Sequence, residues 1–230
     1  LFNNSEQYLK VVEALSSKKI GLTRKEISQI TKLPPNGSLT KILENLVNSE
    51  FVRAYQFFGN KKQDTLYQLS DYFTLFYYKF LKNNSGKDER FWSNSIDNPS
   101  VRAWEGFTFE QVCKDHIQQI KKKLGISGIL TEVSSWFTKS TEEADGAQID
   151  MVIDRRDKVI NICEMKFAVN EYEIDKDYEK KLINKIECFR KETGSKKALH
   201  LTMVTTYGVK QNSHSGRIQS EVTIDDLFEN

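Results

Sequence analysis

The chain has 230 residues, 38% hydrophobic and 29% charged, with a formal net charge of +2; these are the proportions of a folded chain with one or two cores, not of a disordered one. It has no run of about 18 apolar residues, which excludes a membrane-spanning helix, and it opens on neither a Met nor a charged-then-apolar leader. Cys113, Cys163 and Cys188 are odd in number, far apart and set in apolar stretches. That pattern points to buried thiols in a reducing, cytoplasmic compartment rather than to disulfides or a zinc site. The charge is uneven: residues 1–90 hold 14 basic and 9 acidic side chains, and residues 91–230 hold 20 and 23. The first part therefore leans toward a polyanion and the second toward a cation.

In chain order, Leu9, Val12 and Leu15 fall at helical spacing within residues 6–16. A second helix is predicted from Leu22, with Thr23 and Glu26 forming a capping box and Pro34-Pro35 beyond its end. A third begins near Asn36 and carries the stripe Leu39, Ile42, Leu43, Leu46 and Val47. Two β-rich runs follow, residues 51–57 and 65–69, separated by the polar segment 59–64. Three helices and a hairpin in this order predict a winged helix-turn-helix. On DNA its third helix would enter the major groove, offering Lys41 and Asn45, while Arg53 and the wing residues Lys61 and Lys62 would meet phosphates. So few basic groups also suit a winged helix that docks protein. Residues 67–81 are dense in Tyr and Phe; a packing helix accounts for them better than base stacking does. The first domain is drawn at 1–82 and a turn-rich linker at 83–98.

The second domain, 99–230, opens with an amphipathic helix over 99–124. Strands are expected at 129–137, 149–153, 159–167 and 198–205, with an edge segment at 220–224 and a helix over 174–193 after the third strand. This α-β-β-β-α-β order gives an α+β or α/β class: a mixed sheet flanked by helices.

The third strand is apolar on both faces, as a central strand should be. Glu164 and Lys166 break the rule, and being two apart they share a face. Burying a carboxylate and an ammonium costs several kcal/mol unless they pair or bind something. The short turn at 154–158 puts Asp150 on the same face, diagonal to Glu164 at about 7–8 Å. Two carboxylates that close suit Mg²⁺ or Mn²⁺, which would activate a water while Lys166 stabilises charge on a phosphate. A plain ion pair is the alternative. His116, His200 and His214 fit packing or surface roles better than ligation. Tyr178, Lys181 and Lys185 lie at helical spacing and could look over the site or toward a DNA backbone, although a solvated Lys/Glu face explains most of it.

Asp150, followed after thirteen residues by Glu164-Met165-Lys166 on the next strand, resembles the motif of the PD-(D/E)XK, or restriction-endonuclease-like, superfamily. Members commonly add a Glu from the first helix as a metal ligand; here Glu110 matches best and Glu105 is the fallback. Gln148-Ile149 stand where a Pro is usual. Across most of the chain, the segments YQLSDYFTLFYYKFL, WEGFTFEQV, GAQIDMVIDR, ICEMKF and DDLF resemble the C-terminal half of the archaeal-type AAA ATPases. That resemblance implies a DNA-directed nuclease-like domain dependent on Mg or Mn. It also implies an ATPase module in cis, absent from this chain, to which any ATP binding would belong. No Walker-type phosphate loop occurs here.

Overall fold

The computed structural model describes residues 5–59, 65–82, 84, 89–95, 98–139 and 146–229. The chain separates into two units, Leu1–Gln56 with Asn60–Val101, and Phe57–Gly59 with Arg102–Asn230.

In the first unit, α1 (Ser5–Ser16) is followed by a two-residue strand, β1 (Leu22–Thr23), then α2 (Arg24–Thr31) and α3 (Gly37–Asn48). The expected start of the second helix at Leu22 is therefore corrected: Leu22 and Thr23 pair with a later strand, and the helix begins at Arg24. The capping box is as expected, with Thr23 accepting from Glu26 N and Glu26 accepting from Thr23 N. Asn36 caps α3 by accepting from Ser38 N. Strands β2 (Val52–Tyr55) and β3 (Leu66–Leu69) complete an antiparallel sheet in the order β1-β3-β2. Gly21 precedes β1 at φ +86°, where an added Cβ would lie 2.5 Å from the Tyr67 carbonyl oxygen, so only glycine lets β1 approach β3. The stripe of α3 (Leu39, Ile42, Leu43, Leu46) packs with Val11 and Leu15 of α1 and Ile27 of α2.

Then come α4 (Tyr72–Phe76), a π-helical turn (Tyr77–Leu81) and α5 (Phe91–Asn94). Their aromatics pack on each other: Phe76 lies 5.3 Å from Phe80 and 5.4 Å from Trp92. The linker expected at 83–98 contains α5, and its residues 83, 85–88, 96 and 97 lie outside the described residues.

The predicted helix over 99–124 is two helices, α6 (Pro99–Asp115) and α7 (Ile117–Lys123). They break at His116, whose ψ of 30° leaves the helical region. Next are β4 (Thr131–Thr138), β5 (Ala147–Arg155), β6 (Val159–Lys166), α8 (Lys176–Thr193), β7 (Ala198–Thr205), β8 (Ser220–Thr223) and α9 (Ile224–Leu227). The five strands lie in chain order, antiparallel from β4 to β6 and parallel from β6 to β8. Between β5 and β6, residues 156–158 form a three-residue turn that ends with Lys158 left-handed at φ 67°, the geometry such loops favour.

One face of this sheet (Val152, Ile160, Ile162, Leu201, Met203) packs with Leu182 and Phe189 of α8. The other (Met151, Ile153, Cys163, Met165, Val204) packs with Phe109 and Cys113 of α6, Ile120 of α7 and Leu227 of α9. Strand β6 is thus covered on both sides, as its sequence predicts. Among the described residues no helix is long and apolar enough to cross a membrane.

Candidate functional site

Because the even positions of β6 face α8, Glu164 and Lys166 continue the row begun by Ile160 and Ile162. Glu164 is 0% exposed. Its Oε2 receives the Lys185 ammonium at 2.6 Å and the Tyr178 hydroxyl at 3.2 Å, and Lys166 Nζ lies 3.9 Å away. Its Oε1 is buried without a hydrogen-bond partner. Burial, reinforced by the charge of Asp150, pushes the Glu164 carboxyl up to about 7, against the opposing pull of Lys185 and Lys166. The Tyr178 hydroxyl is raised for the same first reason, burial, and next by the Glu164 charge. Lys166, about a third exposed, also lies over the Tyr178 ring at 5.3 Å from its centroid.

Strand β5, which carries Asp150, is irregular in its pairing with β4. Between the pairs Ser134↔Val152 and Trp136↔Ile149, β4 advances two residues while β5 advances three. The extra residue falls at Asp150-Met151, a bulge of the kind that re-aims a side chain. The β5–β6 ladder ends at Met151↔Cys163, and the same register one step further sets Asp150 across from Glu164, not diagonal to it as the turn length suggested. There the side chain replaces the ladder: Asp150 Oδ2 accepts from Met165 N at 3.0 Å. Ser135 Oγ holds the Asp150 carbonyl oxygen at 2.8 Å.

The structure therefore brings together Asp150, Glu164 and Lys166. Glu110 sits on α6, where its charge and that of Asp150 both raise the Cys113 thiol, behind the larger effect of burial. Among the described residues no group of three His, Cys, Asp or Glu side chains gathers as around a metal. Two carboxylates, one with an orphaned buried oxygen, nevertheless fit a hard divalent cation in donor type.

The solvated reading of α8 is corrected for two of its three residues. Tyr178, Leu182, Lys185 and Phe189 form one stripe at i, i+4, i+7 and i+11, and only Lys181 is exposed. A lysine between two buried apolar positions of a stripe was the signal in the sequence. His214 is half-buried, its Nδ1 2.7 Å from Glu179 Oε2. His116 packs on Phe228 at 4.7 Å.

In the first unit, Lys41 is exposed, Asn45 donates to the Tyr8 hydroxyl at 2.6 Å and Arg53 donates to Gln68 Oε1 at 3.4 Å. Asn45 is thus tied into the fold. Lys61 and Lys62 lie outside the described residues. Arg24, which the helix pattern did not single out, donates to the Pro35 and Asn36 carbonyls ahead of α3.

No family model, curated protein or solved structure matches the chain.

Proposed function

We propose that the second unit is a nuclease-like domain of the restriction-endonuclease-like kind, acting on DNA phosphodiesters, and that the first is a winged helix. The observation that carries this is Glu164: a fully buried carboxylate on the central strand, across from Asp150, beside Lys166, with one oxygen lacking any donor. A neutral core would place an apolar residue there, since an uncompensated charge is costly. Asp150 and Glu164 would hold Mg²⁺ or Mn²⁺, which supplies an activated water and charge neutralisation when bound. Lys166, at the C-terminal end of β6 and partly open to solvent, offers its ammonium to the phosphate. The three helices followed by the β1-β3-β2 sheet support the winged-helix reading. The resemblance to archaeal-type AAA ATPases makes both units the partners of an ATPase module in cis.

A second reading is an inactive nuclease fold that docks DNA or protein. It is favoured by Lys185, which already pairs with Glu164, and by the lack of a three-member ligand group among the described residues. Calorimetric Mn²⁺ titration followed by plasmid cleavage decides between them. The active reading expects binding, and nicking that Glu164→Ala abolishes. If neither Mn²⁺ binding nor Glu164-dependent cleavage is seen, the docking reading stands.

A further inference from the structure

We propose that Lys185 and Tyr178 are positioning residues of this site: from α8 they hold Oε2 of Glu164 and so present Oε1, with Asp150, to a divalent cation. The proposal rests on the metal-site reading given above. It comes from an asymmetry between the two oxygens of one carboxylate. Oε2 has Lys185 Nζ at 2.6 Å, Tyr178 Oη at 3.2 Å and Lys166 Nζ at 3.9 Å, whereas Oε1 is equally buried and has no hydrogen-bond partner. A carboxylate settled into a purely structural ion pair shares its donors between both oxygens, because each lone pair left dry in the interior is costly.

The placement of Lys185 is built in. Leu182 and Phe189, buried at 2% and 0%, anchor the stripe on either side of it, and the Lys185 side chain is only 17% exposed. Tyr178 is fixed by its ring, which packs edge-on against Tyr172 at 5.5 Å. Asp150 is arranged in the same way, with Oδ2 committed to the Met165 N–H. Each carboxylate thus has one oxygen tied down by the protein. Hydrogen-bonded partners of this sort orient metal-binding carboxylates.

The test is Mn²⁺ affinity by calorimetry on the whole chain at one pH, comparing wild type with Glu164→Gln, Lys185→Met, Lys185→Arg and Tyr178→Phe. Lys185→Met should weaken binding at least about tenfold, as loss of a ligand-orienting partner does. Lys185→Arg should recover most of it, and Tyr178→Phe should lose less. The sign is decisive, because removing a positive charge through Coulomb repulsion alone would tighten cation binding. Tighter binding in Lys185→Met makes the lysine a competitor and overturns the proposal. Unchanged affinity in both Lys185→Met and Tyr178→Phe makes the contacts structural and overturns it as well. Should Lys185→Met fail to fold, Tyr178→Phe, which keeps the packed ring, decides alone. Wild-type binding that ignores Glu164→Gln sinks the metal-site reading itself, whereas Glu164-dependent binding indifferent to Lys185 and Tyr178 sinks only this step.

Discussion

The two units keep their polar groups in different places. In the first, apolar stripes meet around Val11, Leu15, Ile27 and Leu43, and the one buried polar side chain among the described residues, Gln68, donates to the Lys19 carbonyl. None of its described charged side chains is fully buried, and Thr23, Asn36 and Asp71 serve as helix caps. The second unit buries Asp150, Asn161, Glu164, Thr202, Thr205 and Asp226. Some of these are structural: Asn161 donates to Thr202, and Asp226 accepts from Thr223 and Lys123. Glu164 is different, because its donors satisfy one oxygen and not the other. A fold whose levels all agree is held by packing, and local disagreement concentrates where function is carried. The first unit is mostly of the former kind, with the buried Arg24 Nε its exception; the second departs from it around β6.

The largest effect that sharpens this contrast is a core truncation in the first unit. Leu43→Ala removes a side chain 1% exposed at the centre of the α3 stripe and should cost about 2–5 kcal/mol in denaturant unfolding, set by how far the site collapses. Faster amide exchange in α1 to α3 would localise the loss. A cost below about 1 kcal/mol would mean that the first unit is not held together by this packing.

The next effect belongs to Glu164 and to pH. Its folded carboxyl is raised to about 7 from an ordinary 4.5, so the native state binds the proton more tightly than the unfolded chain does. Stability from this group is fully present below about pH 4.5 and is lost as pH rises through about 7, by roughly 3 kcal/mol in all. Denaturant unfolding with chelator present should therefore show wild type losing stability relative to Glu164→Gln across that window. A difference that stays flat with pH would show that Lys185 and Lys166 fully compensate the burial of the charge.

Much of this arrangement is legible from spacing. Period-2 alternation puts Glu164 and Lys166 on one face of an apolar strand, and the stripe of α3 and the Thr23–Glu26 box are read directly from residue order. What escapes is whatever depends on a single inserted or misplaced residue. The bulge at Asp150-Met151 changes neither composition nor hydrophobicity, yet it shifts the β4–β5 pairing by one residue beside the site. The break at His116 has no Pro or Gly to announce it. Lys185 looked like part of a solvated face because its neighbours Lys180, Lys181 and Glu187 are solvated; only its position between Leu182 and Phe189 marks it as facing the sheet.

The smallest effect tests whether the first unit's polar groups are as purely structural as their bonding implies. Thr23 Oγ1 accepts from Glu26 N at 3.3 Å, and Glu26 Oε2 accepts from Thr23 N at 2.7 Å while its Oε1 meets Lys18 at 2.8 Å. Thr23 also lies in β1, paired with Leu66, so one residue closes the sheet and opens α2. Thr23→Ala leaves donors at the start of α2 to water and should cost about 1 kcal/mol. Thr23→Ser, which keeps the accepting oxygen, should recover most of that. The Glu26–Lys18 pair is exposed on both sides and contributes little by itself, so Lys18→Ala should be nearly silent in the same denaturation assay. If Lys18→Ala instead matches Thr23→Ala, the charge pair rather than the cap holds this corner. The first unit would then depend on electrostatics as the second does.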